Sequence, residues 1–353
     1  MGEVERRNFN RLAKPHGRSL SAASRADKRK SRIALMAAFG AVYLVWGSTY
    51  LGIKYAIETI PPLLMAGSRF LLAGALLYGW AWLRGADNYD ESKSPSRAHW
   101  RTAVGVGALL FLGGNGGVTW AEGRITSSMA ALLVATEPLW IVLMGWVRPH
   151  GERPGGKVML GLLVGFAGVW LLISPARSDN SGVNMLGACA VIAAAFSWAA
   201  GSLYSLHAPQ QPHSPLLASG MQMLAGGVLL TLAGILTGEW PHLALGNVSA
   251  RSVLALLYLV IFGSVVAFTA YSWLLHAVRP ERAATYAYVN PVVACALGWA
   301  IGGEAMTLRT SFAAAVIVAS VMLITAHGKK SRAKPTISAD DKATCDVAAE
   351  VTV

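Results

Sequence analysis

Apolar runs of roughly twenty residues recur along the chain from residue 33 to residue 326, separated by short polar connections. Ten segments can be bounded, at 33–57, 61–83, 101–121, 125–147, 157–174, 184–204, 215–236, 252–275, 281–301 and 309–326. At about 1.5 Å per residue, a helix of that length covers the roughly 30 Å hydrocarbon core of a bilayer. A helix also closes its own backbone hydrogen bonds, as lipid requires. The pattern predicts an all-α polytopic membrane protein of ten transmembrane helices. The connections hold the turn formers, including Pro61-Pro62, Pro149, Pro154, Pro175, Pro212 and Pro241.

The fourth run breaks the apolar rule at its midpoint, with Glu137 followed by Pro138. A carboxylate at that depth costs about 2.5 to 3.5 kcal/mol on insertion scales, so it is expected to face a protein or water-lined interior. The proline removes a backbone donor and crowds the preceding turn, which loosens the helix beside the charge. The ninth run carries an echo, Asn290-Pro291, 153 residues on. Trp46 recurs as Trp198, Trp120 as Trp273, and Gly151-Glu152 as Gly303-Glu304, at offsets of 152 or 153. Agreement at four separated places indicates an internal duplication whose unit is half the fold. The expected organisation is a basic arm at 1–32, one five-helix repeat at 33–174, a second at 184–326 and a polar tail at 327–353.

An odd number of helices per repeat makes the second copy enter the membrane upside down relative to the first. Inverted repeats of this kind characterise secondary transporters, which bind substrate near the midplane between the halves. Charge fixes the orientation. With the N-terminus inside, 24 Lys and Arg fall in cytoplasmic segments, against Arg124, Arg177, Arg251 and Arg309 outside. The positive-inside rule therefore places both termini of this multi-pass membrane protein in the cytoplasm.

Composition narrows the function classes. Hydrophobic residues make up 54% and charged residues only 14% of the 353, outside the range of an ordinary soluble domain. The net charge of +12 sits in the tails and short loops without an aromatic-basic platform, so nucleic acid is not expected as a partner. Cys189, Cys295 and Cys345 are widely spaced, and no Cys or His pair has a metal-site spacing; neither metal nor cofactor is expected. No phosphate-loop motif is present, so uphill movement must draw on an ion gradient or on exchange. The expected partners are membrane lipid, a small-molecule substrate and protons; oligomeric state is left open. An enzyme is not expected, for want of a nucleophile–base pair or ligand set at recognisable spacing.

Trp46-Gly47-Ser48-Thr49 with Gly52-Ile53-Lys54, Gly67-Ser68-Arg69-Phe70, and the two mid-helix prolines followed by Gly-Glu resemble the drug/metabolite transporter superfamily in its EamA-type repeat. The run Glu281-Arg282-Ala283-Ala284-Thr285-Tyr286, followed by Asn290-Pro291 and Gly303-Glu304, is an especially close match. The resemblance covers residues 33 to 326 and implies a ten-helix inner-membrane carrier, commonly an exporter of amino acids, metabolites or toxic compounds.

Several residues are candidates for substrate binding or coupling. Glu137 has the chemistry of a proton or cation site, or of a structural ion pair with Arg69 or Lys54. Arg69, near the middle of the second helix, could hold an anionic group of the substrate or serve as counter-ion to Glu137. Trp46, Tyr50, Trp198 and Tyr204 lie on the first helix of each half and could wall an aromatic cavity. Asn115, among four glycines, reads as close helix packing or a substrate contact. Gln222 and Asn290 could line the second half of the cavity, and Pro138 and Pro291 are candidate hinges. Lys54 is expected to snorkel to the external interface. Glu152 and Glu304 are expected to cap the next helix or pair with loop arginines, and Glu122 and His276 read as helix-end residues.

Overall fold

A computed structural model describes residues 33–83, 95–147, 153–173, 184–208, 210–212, 214–278 and 286–327. The basic arm, the tail beyond 327, Glu152 and the run 281–285 lie outside the described residues. The described residues form ten apolar helices: α1 (Ile33–Ala56), α2 (Pro62–Leu83), α3 (Arg97–Glu122), α4 (Ser127–Val147), α5 (Gly156–Ile173), α6 (Met185–His207), α7 (Pro215–Leu236), α8 (250–277), α9 (Tyr286–Ala300) and α10 (Leu308–His327). Eight are long and apolar enough to cross a membrane unaided, and the described parts of the last two are shorter apolar stretches. Large apolar side chains such as Trp82, Leu163, Trp170 and Phe312 stand exposed on the outside of the bundle, as lipid contact requires.

The helix pairs repeat with the sequence. α1 packs on α9 and its equivalent α6 on α4; α3 packs on α6 and α8 on α1; α3 packs on α7 and α8 on α2. The equivalent helices α2 and α7 pack on each other, as do α5 and α10. This is the pattern of a pseudo-two-fold axis, and five spans per half make the copies inverted. Glycine permits the closest contact. Gly67 and Gly74 of α2 stand seven residues apart, as do their equivalents Gly220 and Gly227 of α7. A Cβ on Gly74, Gly220 or Gly227 would meet a backbone nitrogen of the facing helix at 2.7 Å. Small residues at a helix crossing let backbones approach where lipid offers no hydrophobic drive.

Three helices are locally wound wider than an α-helix, at Ala41–Val45 of α1, Gly107–Gly116 of α3 and Leu259–Val266 of α8. The stretches in α3 and α8 begin 152 residues apart, so the irregularity is itself duplicated. Such π-helical turns are found disproportionately at functional sites. Carbonyls in both accept from side chains of the other half: Ser197 Oγ donates to Leu109 at 2.8 Å, and Trp46 Nε1 donates to Gly263 at 3.1 Å.

Helix α4 is interrupted where the sequence places Glu137-Pro138. It runs as Ser127–Val134 and Glu137–Val147, joined through Ala135 and Thr136. Pro138 has no N–H for the Val134 carbonyl, and Thr136 closes the turn by donating to Leu133 O at 2.7 Å. The equivalent Pro291 sits inside a continuous helix.

Candidate functional site

A cavity of ≈ 100 Å³ lies among α1, α2, α3, α4, α6, α7, α8 and α9, with contributions from both halves. Seven of the nine polar and aromatic candidates line it: Trp46, Tyr50, Arg69, Asn115, Glu137, Trp198 and Asn290. Gln222 is buried in α7, with its backbone carbonyl against Gly107 of α3, and is not part of the lining. Tyr204 is half-exposed near the end of α6 and packs on Gly105, also away from the cavity.

The break in α4 brings Glu137 to the cavity as the first residue of its second rod. The side chain is buried, and the Tyr286 hydroxyl is 3.4 Å from each of its oxygens. Tyr286 belongs to an aromatic cluster: Trp46 lies 5.2 Å from it edge-on, Tyr271 lies 5.6 Å from it edge-on, and the Trp46 and Tyr271 rings are 5.0 Å apart. Phe268 extends the cluster 6.4 Å from Trp46. A cation held here would meet a carboxylate and aromatic faces together. Asn290, equivalent to Glu137 in the other half, is also buried, and its Oδ1 has no hydrogen-bond partner among the described residues.

Arg69 is 4% exposed, and its Nε donates to Ser264 Oγ at 2.9 Å from the widened stretch of α8. Its guanidinium carbon is 4.8 Å from the Phe70 ring centroid. Among the described residues it forms no ion pair with Glu137; the two ion pairs are Lys54–Glu304 and Arg251–Glu58. One wall thus presents a carboxyl group and another a guanidinium, with no ion pair between them. Asn115 reaches the cavity because its glycine neighbours let α3 approach α6: a Cβ on Gly114 would meet the Trp198 ring at 2.9 Å, and one on Gly117 would meet Ala194 at 2.9 Å.

The end of the bundle where α3 turns into α4 and α9 into α10 corrects two sequence expectations. Lys54 does not snorkel; its Nζ is 3.2 Å from Glu304 Oε1 and donates to Gly302 O at 2.9 Å. Glu304 neither caps the helix that follows it nor meets an arginine. It accepts from the backbone N–H and hydroxyl of both Ser127 and Ser128, at the start of α4 in the other half. Burial presses the Glu304 carboxyl upward, but the Ser128 and Ser127 donors outweigh it and hold it below the ordinary carboxylate range. Glu122 is a third departure: although it ends α3, it is 6% exposed. Sequence reasoning also passed over Ser264, Tyr271 and Tyr286; of these, Tyr286 carried a signal, one helical turn before Asn290.

Comparison with known proteins agrees with this architecture. The model of the EamA-like transporter family matches twice, at residues 32–174 and 185–326. A protein of Escherichia coli (strain K12) named as the uncharacterized inner membrane transporter YedA is 38% identical over 305 residues, covering 86% of this chain and 94% of its own. A second protein of that strain, named as a probable amino-acid metabolite efflux pump, is 25% identical over 304 residues, covering 82% of this chain and 94% of its own. A solved crystal structure aligns with a TM-score of 0.56 at 24% identity over 84% of this chain and 97% of that one, a likeness of fold. With both halves matched by one family model and a 38%-identical relative spanning most of its length, this chain belongs to the EamA-like transporter family, within the drug/metabolite transporter superfamily.

Proposed function

We propose that this transporter is a secondary active exporter that moves a small, amino-acid-like or drug-like organic solute across the plasma membrane by alternating access. In this reading both termini are cytoplasmic, and Glu137 binds and releases the coupling proton. The observation that carries it is one aromatic cavity, between two inverted halves, that receives a carboxyl group and a guanidinium from different helices without an ion pair between them. Glu137 and the cluster of Trp46, Tyr271 and Tyr286 suit an ammonium group, and Arg69 with Ser264 suits an anionic one. The relative named as a probable amino-acid metabolite efflux pump supports the same substrate class. Proton and substrate cation would compete for Glu137, which couples their movements without any further cofactor.

The test is reconstitution into liposomes with amino acids, nucleosides and cationic dyes, measuring flux with and without an imposed pH gradient. Accumulation of a zwitterionic or cationic solute driven by the gradient is expected. Ion conductance without solute specificity, or chemical conversion of a solute in detergent, would contradict the proposal.

A further inference from the structure

Glu122 is a carboxylate that the cavity does not account for. It closes α3, where a helix end ordinarily delivers a side chain to water, yet it is buried and neither of its oxygens has a hydrogen-bond partner among the described residues. An uncompensated buried charge costs several kcal/mol, and buried polar atoms are nearly always partnered. The contrast with Glu304 is local. Lys54 is committed to Glu304, which also holds four donors from Ser127 and Ser128.

The surroundings of Glu122 are specific. α1 and α2 both pack on its turn of α3; from them Lys54, Tyr50 and Arg69 reach it electrostatically, and Glu304 does so from the α9–α10 connection. From α4 the first turn brings Ser127 and Ser128, both turned to Glu304. From α6, Gly187 packs on Arg124 and Ile125, and Cys189 is exposed. Arg124 itself lies over the Trp120 ring at 3.5 Å and donates to the Trp120 carbonyl. Two of these neighbours, Tyr50 and Arg69, also line the cavity, and Tyr50 interacts with Glu122 and Glu137 alike.

We propose that Glu122 is a second proton-binding site, placed between the central cavity and the external face and communicating with Glu137 through Tyr50. One carboxylate oxygen takes a proton from hydronium at the external face, an O–H bond forming as the hydronium O–H breaks and leaves water. This removes a buried charge that no hydrogen bond or ion pair among the described residues holds, and the proton goes back to water when Glu137 exchanges its own. The step needs no partner beyond water and the two carboxylates. Its place in the cycle rests on the proton-coupled reading above, whereas the binding of a proton does not.

Two measurements on the full chain in lipid test it. Infrared difference spectra between acid and alkaline pH are expected to show two carboxylic-acid bands, one lost in Glu122→Gln and the other in Glu137→Gln. Both bands surviving Glu122→Gln would overturn the proposal. The second uses the unaltered protein: dicyclohexylcarbodiimide, which adds to protonated carboxyls in apolar surroundings, is expected to modify Glu122 faster as pH falls, read by peptide mass. An unmodified Glu122 beside a modified Glu137 would overturn it equally. Loss of the Glu122 band together with transport that ignores a pH gradient would uphold the site and sink only the coupling reading.

Discussion

Helices α4 and α9 occupy equivalent places in the two halves and treat the same proline differently. In α4 the residue before it is Glu137 and the helix is interrupted through Ala135 and Thr136; in α9 it is Asn290 and the helix continues through Pro291. Both residues reach the same cavity. Proline therefore does not dictate the break. Duplication supplies two matching positions, and divergence makes one ionisable and leaves the other neutral, which gives a symmetric scaffold an asymmetric chemistry.

The largest expected effect comes from erasing that difference. Glu137→Asn makes α4 carry the residue of α9, and gradient-driven accumulation in liposomes is expected to fall to the level of protein-free vesicles. Solute exchange without a gradient should persist. Next comes the opposite wall: Arg69→Lys keeps the charge but loses the planar fork that reaches Ser264. The concentration for half-maximal transport should rise by about tenfold, the cost of one charge-assisted hydrogen bond.

Glu304 ties the start of α4 to the end of α9. Its folded-state value is depressed, so its contribution to stability is present above the unfolded carboxylate value of about 4.3 and is lost as pH falls through the folded value. Thermal unfolding in detergent should show the wild type losing stability on acidification below that range. Glu304→Gln should be less stable at neutral pH by about 1–3 kcal/mol, since it leaves Lys54 and the serine donors short of an anion, and should respond less to acid. The smallest effects concern the prolines themselves. Pro138→Ala, offering an N–H to Val134, is expected to change turnover a few-fold, and Pro291→Ala, in a helix already continuous, less than that; initial-rate flux distinguishes them.

Much of this was legible in the sequence because bilayer thickness turns apolar run length into a helix count, and because Trp46/Trp198 and the two prolines carry the repeat. The cavity was legible where polar residues stood alone in apolar runs, as Glu137, Arg69 and Asn290 do. It was less so where function depends on which helix lies opposite. Lys54 read as a snorkelling residue because Glu304, 250 positions away, is its neighbour only in space. Glu122 read as a helix-end residue for the same reason: burial by α1 and α2 is a tertiary fact. Gln222 and Tyr204 had suitable chemistry and the wrong helix faces.

The most direct measurement is simultaneous recording of solute and proton flux in liposomes, with a pH-sensitive dye trapped inside and no imposed gradient. For the wild type, a gradient of solute should drive proton movement in a fixed ratio to solute, and Glu137→Gln should move solute with no proton signal. Equal proton movement by the wild type and Glu137→Gln would contradict the coupling role assigned to that carboxylate.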